Sequence, residues 1–217
     1  MKSILLLLFF VNLVSCDTDL TIIDKPIEFT ENRVNSTLQY INEHYGIETN
    51  TPVIEPKIIV LHWTYIPTLE GAFSEFKNED LSPDRTAISN ASNLNVSSQF
   101  MVDRDGTIYR LMPENYMARH VIGLNYNAIG IENVGGDKNT PLTQEQVDAN
   151  IKLVAYLKGK YDIEYVIGHY QYTLFEEHEL WLEKDDEYRT EKTDPGEDFV
   201  TKVFKATEHL GLKNLPE

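Results

Sequence analysis

The sequence predicts a single α/β domain with a mixed central β-sheet flanked by helices. Three observations predict it. Short apolar runs such as Ile58-Ile59-Val60-Leu61, Ala128 to Val134 and Tyr165-Val166-Ile167 have the length of buried strands. Segments of helical periodicity alternate with them, and Asp105-Gly106 marks a hairpin turn. At 217 residues and 41% hydrophobic content, the chain suffices for one well-buried core and is short for two full domains.

The elements follow in order. Glu31 to Tyr45 carries Val34, Leu38, Ile41 and Tyr45 at helical spacing and stops at Gly46, which suits a C-cap. Lys57 to His62 reads as a strand, Leu69 to Glu79 as a helix and Asn90 to Ser98 as a polar loop. Phe100-Met101-Val102 and Thr107 to Leu111 flank the turn Asp103-Arg104-Asp105-Gly106. Ala128 to Val134 is a further strand, ending at Gly135-Gly136. Thr143 and Gln146 make a Thr-x-x-Gln capping box at the head of a helix reaching Tyr161, with Val147, Ile151, Val154 and Leu157 on one face. A strand then runs into His169, an acidic and aromatic stretch covers Tyr170 to Thr190, and Phe199 to Leu210 closes the chain as a helix.

The N-terminus is set apart from this domain. Met1-Lys2 followed by the apolar stretch Ile4 to Val11 reads as a signal peptide, too short for a membrane span of about 20 residues. It ends in Leu13-Val14-Ser15-Cys16, which resembles the lipobox of bacterial lipoproteins. That resemblance implies lipidation of Cys16, export to the bacterial cell envelope and membrane anchoring. Residues 1–16 are then the signal, 17–29 a polar tether and 30–217 the folded domain. Cys16 is the single cysteine, so no disulfide forms within one molecule. A formal net charge of −16 argues against a nucleic-acid partner and against electrostatic attraction to anionic lipid. Behind a lipobox, the sequons at Asn35, Asn90 and Asn95 are read as chance.

A reaction is suggested by Lys192-Thr193-Asp194-Pro195-Gly196. An aspartate beside a Pro-Gly turn can present its carboxylate to a metal, and a lysine two residues earlier in an extended stretch points to the same side. His62 and His169 each stand where a short buried strand ends. Two imidazoles and one carboxylate, with a fourth position open to water, are the ligand set of a catalytic zinc site. Glu132 is a carboxylate on an otherwise apolar strand, costly to bury without a partner or a task. Taken singly, each has an ordinary reading as a strand-end histidine, a turn former, a salt bridge or a solvated lysine.

The motifs Leu61-His62-Trp63-Thr64, Arg104-Asp105-Gly106-Thr107, Ile129 to Gly135, Gly168-His169 and Lys192 to Gly196 occur in the order and context of a known family. From about Ile58 to Leu210 the chain resembles the zinc-dependent N-acetylmuramoyl-L-alanine amidases of type 2, relatives of the peptidoglycan recognition proteins. The resemblance implies hydrolysis of the amide joining N-acetylmuramic acid to L-alanine of the stem peptide. It implies Zn2+ held by His62, His169 and Asp194, Glu132 as general base and Lys192 as oxyanion stabiliser. Thr64 and His120 become candidate substrate-binding residues, His120 alternatively supporting the metal ligands. Gln99 replaces the histidine common before the hairpin phenylalanine, and Ser98 stands where some branches use tyrosine, so the base falls to Glu132.

Two alternatives stay open on chemical grounds, a non-catalytic peptidoglycan-binding protein and a zinc peptidase cutting within the stem peptide. The segment 170–190 is longer than compact members need. It reads equally as a flap over the cleft or as a packed excursion, and His178 within it is not needed as a ligand.

Overall fold

The computed structural model describes residues 20–216, so Cys16 and the expected signal segment lie outside the described residues. Among the described residues, β1 (Ile22–Asp24), β2 (Ile58–Trp63), β3 (Phe100–Val102), β4 (Ile108–Arg110), β5 (Ala128–Asn133) and β6 (Tyr165–Gly168) form one sheet in the order β1-β4-β3-β5-β2-β6. β2 pairs in parallel with β5 and β6, and β5 in parallel with β3. β3 and β4 form the expected antiparallel hairpin, its turn closed by Gly106 at φ 84°. The sheet is mixed, with helices covering it, as the sequence predicts.

β5 is buried at every residue and β2 at all but Trp63, which is why both read as unbroken apolar runs. On one face Ile58, Val60, Ala128, Tyr165 and Ile167 pack with Tyr40, Ile41, Tyr45, Tyr172 and Phe175. On the other, Ile59, Leu61, Ile129, Ile131 and Val166 pack against α4 (Gln144–Lys160) and α5 (Glu197–Thr207) through Leu153, Leu157, Phe199 and Val203. Strand alternation thereby puts His62 and Glu132 on the first face, away from α4 and α5.

The tether expected over 17–29 is corrected for its described part. β1 adds to the free edge of β4, Lys25 and Ile27 donate their N–H groups to Arg110 and Leu111, and Ile27 is buried. Three strand residues are too few to show a period in sequence, but β4 offers them an unpaired edge.

The first helix, α1 (Glu31–Tyr40), continues as a π-turn over Ile41–Tyr45 and stops at Gly46, φ 66°. Its inner face is not the expected Val34-Leu38 stripe. Arg33, Thr37, Tyr40, Ile41, His44 and Tyr45 are buried instead. The reason is a helix end. Arg33 reaches the last carbonyls of α2 (Leu69–Lys77), donating to Phe76, Lys77 and Asn78, groups that have no partner within α2.

A short helix, α3 (Thr86–Ser89), precedes the expected polar loop. The capping box of Thr143 and Gln146 is formed at α4. Ile151, expected on its apolar face, is only partly buried, whereas Gln146 and Asn150 are buried. Gln146 Nε2 donates to the carbonyls of Val102 and Val134, and Asn150 Nδ2 to Asn133 Oδ1 at 2.7 Å, so this helix supplies donors to strand ends. α5 begins two residues before the expected Phe199 and passes into a 3-10 turn at Glu208–Leu210.

Candidate active site

The carboxyl ends of β2, β5 and β6 meet at one edge of the sheet, where the loops leave a cleft lined by His62, Trp63, Arg85, His120, Glu132 and Lys192 among others. At its floor three donor atoms converge. His62 Nδ1 lies 3.0 Å from His169 Nδ1 and 3.1 Å from Asp194 Oδ2, and His169 Nδ1 lies 3.0 Å from Asp194 Oδ2. All three residues are buried. Ligand atoms about 2.0–2.1 Å from a tetrahedral zinc stand about 3.3 Å from one another, close to this triangle.

The electrostatics suit the same set. Burial pushes His169 down to about 4 against the pull of Asp194, so the imidazole is neutral near neutrality. Burial alone would raise Asp194, but the hydrogen bonds and charges of His169 and His62 outweigh it and hold the carboxyl below its usual range. Neutral imidazoles and an ionised carboxylate are the protonation states a divalent metal requires. The residues present fit a zinc ion.

Each side chain is aimed by local structure. His62 ends the buried run of β2, and Asn133 Nδ2 donates to its carbonyl at 2.9 Å. Its Nε2 lies 3.0 Å from His120 Nδ1, which leaves Nδ1 facing the triad. His120 reaches this place because Gly130, opposite Val60, has no side chain. A Cβ there would stand 2.9 Å from the His120 ring and from Ser98 Oγ. Gly168 leaves room for Val200 of α5 beside His169. Tyr170 N–H donates to the Asp194 carbonyl, tying the turn to the strand end.

Glu132 is the register partner of His62 on β5. It is buried, its Oε2 has no hydrogen-bond partner among the described residues, and burial pushes its carboxyl up to about 7. A carboxyl poised there, on a residue that lines the cleft, is suited to moving a proton. Lys192 is half-buried on the cleft wall, two residues from Asp194.

Not every expected residue keeps its expected part. Thr64 lines the cleft, but its hydroxyl donates to the Ile66 carbonyl and accepts from the N–H groups of Ile66 and Gly135. That hydroxyl holds a turn and is not free for substrate, which corrects the expectation. His120 touches His62 directly, the second of its two expected places. Gln99 bridges backbone, accepting from Gly130 N–H and donating to Tyr116 O, and Ser98 Oγ donates to Gly130 O. Neither faces the cleft. His178 pairs with Tyr165 at 3.2 Å, apart from the triad.

Sequence reasoning passed over the residues that build the walls. Arg119 donates to the carbonyls of Ile88, Ser92 and Leu94 and to the Tyr188 hydroxyl, joining the loop after α3 to the 170–190 segment. His44 places Nδ1 2.9 Å from Glu183 and Nε2 3.0 Å from Ala91 O, joining the same two walls to α1. The segment 170–190 is therefore a packed excursion, with Tyr172, Phe175 and Tyr188 buried, whose Tyr188 and Thr190 also border the cleft. Arg119 stands in a stretch without acids, between Ala118 and His120, and its partners are almost all backbone, so no sequence signal marked it.

The family model for N-acetylmuramoyl-L-alanine amidase (Amidase_2) matches residues 49–197. The chain belongs to this family. Among solved structures, the fold of this amidase-family chain is similar to N-acetylmuramoyl-L-alanine amidase LysC from Clostridium intestinale, with 22% identity, a TM-score of 0.50 and coverage of 89% of this chain and 99% of that one. It is similar as well to bumblebee PGRP-SA, at 18% identity and TM-score 0.50, covering 90% and 99%. A third is peptidoglycan recognition protein-LE, solved with tracheal cytotoxin, a monomeric diaminopimelic acid-type peptidoglycan, at 16% identity and TM-score 0.51, covering 81% and 93%. Curated protein sequences offer no match to the chain. The amidase-family model spans all five residues that carry the proposed chemistry, His62, Glu132, His169, Lys192 and Asp194.

Proposed function

We propose that this protein hydrolyses the amide between N-acetylmuramic acid and L-alanine in peptidoglycan or its fragments, with zinc held by His62, His169 and Asp194. One observation carries the reading: a buried triad of donor atoms about 3 Å apart, with Glu132 in register beside it. Family membership supports the same bond, and the peptidoglycan ligand of the similar recognition protein supports a muropeptide as the bound substrate.

A zinc ion in this site supplies Lewis acidity toward the scissile carbonyl and toward water. Glu132 accepts a proton from the attacking water on its free carboxylate oxygen and returns it to the leaving nitrogen. The Lys192 ammonium opposes the negative charge that develops on the carbonyl oxygen. His120 holds His62 in the orientation that keeps Nδ1 in the triad. We read Cys16 as a lipid anchor that keeps the enzyme on a bacterial membrane, in the envelope where its substrate lies.

The test is digestion of purified disaccharide-peptide muropeptides, with and without chelator, followed by mass spectrometry. Release of intact stem peptide with a free L-alanine amine, lost on chelation, supports the amidase. Cleavage inside the peptide assigns a peptidase, and binding without turnover leaves a recognition protein.

A further inference from the structure

Tyr65 is the one residue other than glycine with a left-handed backbone among the described residues, at φ 57°. Such a conformation is unfavourable for a bulky side chain and persists only where surrounding structure imposes it. Here the imposition is plain. Tyr65 N–H donates to Gly135 O, Gly135 N–H donates to Ile66 O, and the Thr64 hydroxyl clamps both the N–H and the carbonyl of Ile66. The strain wins no packing in return, because Tyr65 is 63% exposed at the mouth of the cleft.

Beside it lies Trp63, ring centroids 6.0 Å apart and planes inclined by 48°. Trp63 is seated on glycine backbone. A Cβ on Gly136 would stand 2.5 Å from its ring, and one on Gly196 would touch it at 3.6 Å. Trp63 borders both the metal cleft and a second groove on the far side of the Asp194 turn, lined by Gln144, Pro195, Glu197 and Asp198.

We propose that Trp63 and Tyr65 form a stacking subsite for a neutral sugar ring, an N-acetylhexosamine of the glycan attached to the scissile amide. The proposal rests on the amidase reading above and deepens it. A pyranose offers an apolar C–H face to an aromatic ring and hydroxyls at its edge, and the groove beyond Trp63 offers carboxylate and amide acceptors to those hydroxyls. In that groove Asp198 is paired with Lys202 at 2.6 Å and Glu197 adds a further negative charge, which a stem peptide bearing carboxylates would meet unfavourably, whereas Arg85 and Lys192 on the cleft side suit it. Trp63 ends β2 and lines the same cleft as His62, so the sugar adjoining the reacting carbonyl comes within its reach.

The probe is tri-N-acetylchitotriose, a peptide-free N-acetylhexosamine oligomer, titrated by calorimetry or saturation-transfer NMR, with melting temperature followed in parallel. Wild-type protein is expected to bind it, Tyr65→Phe to keep that affinity, and Tyr65→Gly to bind about tenfold more weakly, the loss of one aromatic contact. Because glycine accepts the left-handed backbone, Tyr65→Gly is expected to melt no lower than wild type. Should it melt lower, Tyr65→Asn, which also tolerates that backbone, is judged by the same criteria. A wild type that does not bind the oligomer overturns the subsite, as does a Tyr65→Gly protein of wild-type stability that binds it equally well. A loss seen only with a sugar-free stem peptide overturns it in favour of a peptide contact. Muropeptide hydrolysis without oligomer binding removes the subsite alone, and oligomer binding without hydrolysis removes the amidase reading alone.

Discussion

His62 and Glu132 are register partners on the parallel strands β2 and β5, so a candidate metal ligand and a candidate base leave the same face of the sheet side by side. Glu132→Gln keeps the shape of the side chain and removes its capacity to take a proton. It is expected to retain stoichiometric zinc by elemental analysis while kcat falls by about 10²–10⁴-fold. A near-normal rate in this variant would remove Glu132 as the base.

His169→Ala removes one corner of the donor triangle. Zinc content and turnover are expected to vanish together. In wild-type protein a chelator should abolish activity and lower the melting temperature, since zinc at a hundredfold excess over its dissociation constant contributes about 2.7 kcal/mol. His169→Ala should melt at the same temperature with or without chelator, as read by differential scanning fluorimetry.

Arg119 is the tie between the two cleft walls, and its removal strands the buried carbonyl of Leu94 and takes a donor from the part-buried carbonyls of Ile88 and Ser92. Arg119→Ala is expected to cost on the order of 3 kcal/mol in urea denaturation. Arg119→Lys should recover only part of it, because an ammonium cannot reproduce the guanidinium fork.

The His44–Glu183 pair makes the walls pH-sensitive. Burial would lower the His44 value, but the hydrogen bonds and charge of Glu183 and the Ala91 carbonyl outweigh it and hold the imidazolium above its ordinary 6.5. Both ring nitrogens face acceptors, which only the protonated ring satisfies together. With the folded value raised, this stabilisation is full below the unfolded value and is lost as pH rises through the folded one. Hydrogen exchange of residues 170–190 should quicken across that rise in wild type. In His44→Gln the dependence should flatten.

Cys16 is expected to carry the anchor. In cells, the wild-type protein should partition into the detergent phase of a Triton X-114 extraction and Cys16→Ala should not. Equal partitioning of both would remove the lipoprotein reading.

The lines of the site and the walls around it differed in how readable they were. His62, Glu132 and His169 sit on or directly after apolar strands, where a polar residue stands out, and Asp194 and Lys192 stand in a turn of distinctive composition. Thr64 misled because a hydroxyl near a ligand looks free in sequence, while its three backbone contacts exist only once the turn is folded. The inner face of α1 misled for a related reason: Arg33 is buried to satisfy carbonyls of a helix far away in the chain.

By itself, then, the sequence determined the main strands and helices of the sheet from β2 onward, the hairpin and the capping box of α4, and it singled out His62, His169 and Asp194, which the fold brings together, because apolar period and turn composition are local properties. Only the tertiary structure decided that β1 belongs to the sheet, that Arg119 and His44 bind the cleft walls together, and that Tyr65 is held strained at the cleft mouth. Each of these rests on a partner distant in sequence, usually a backbone N–H or carbonyl. Every residue carries those groups alike, so no pattern of side chains announces which of them will need a partner.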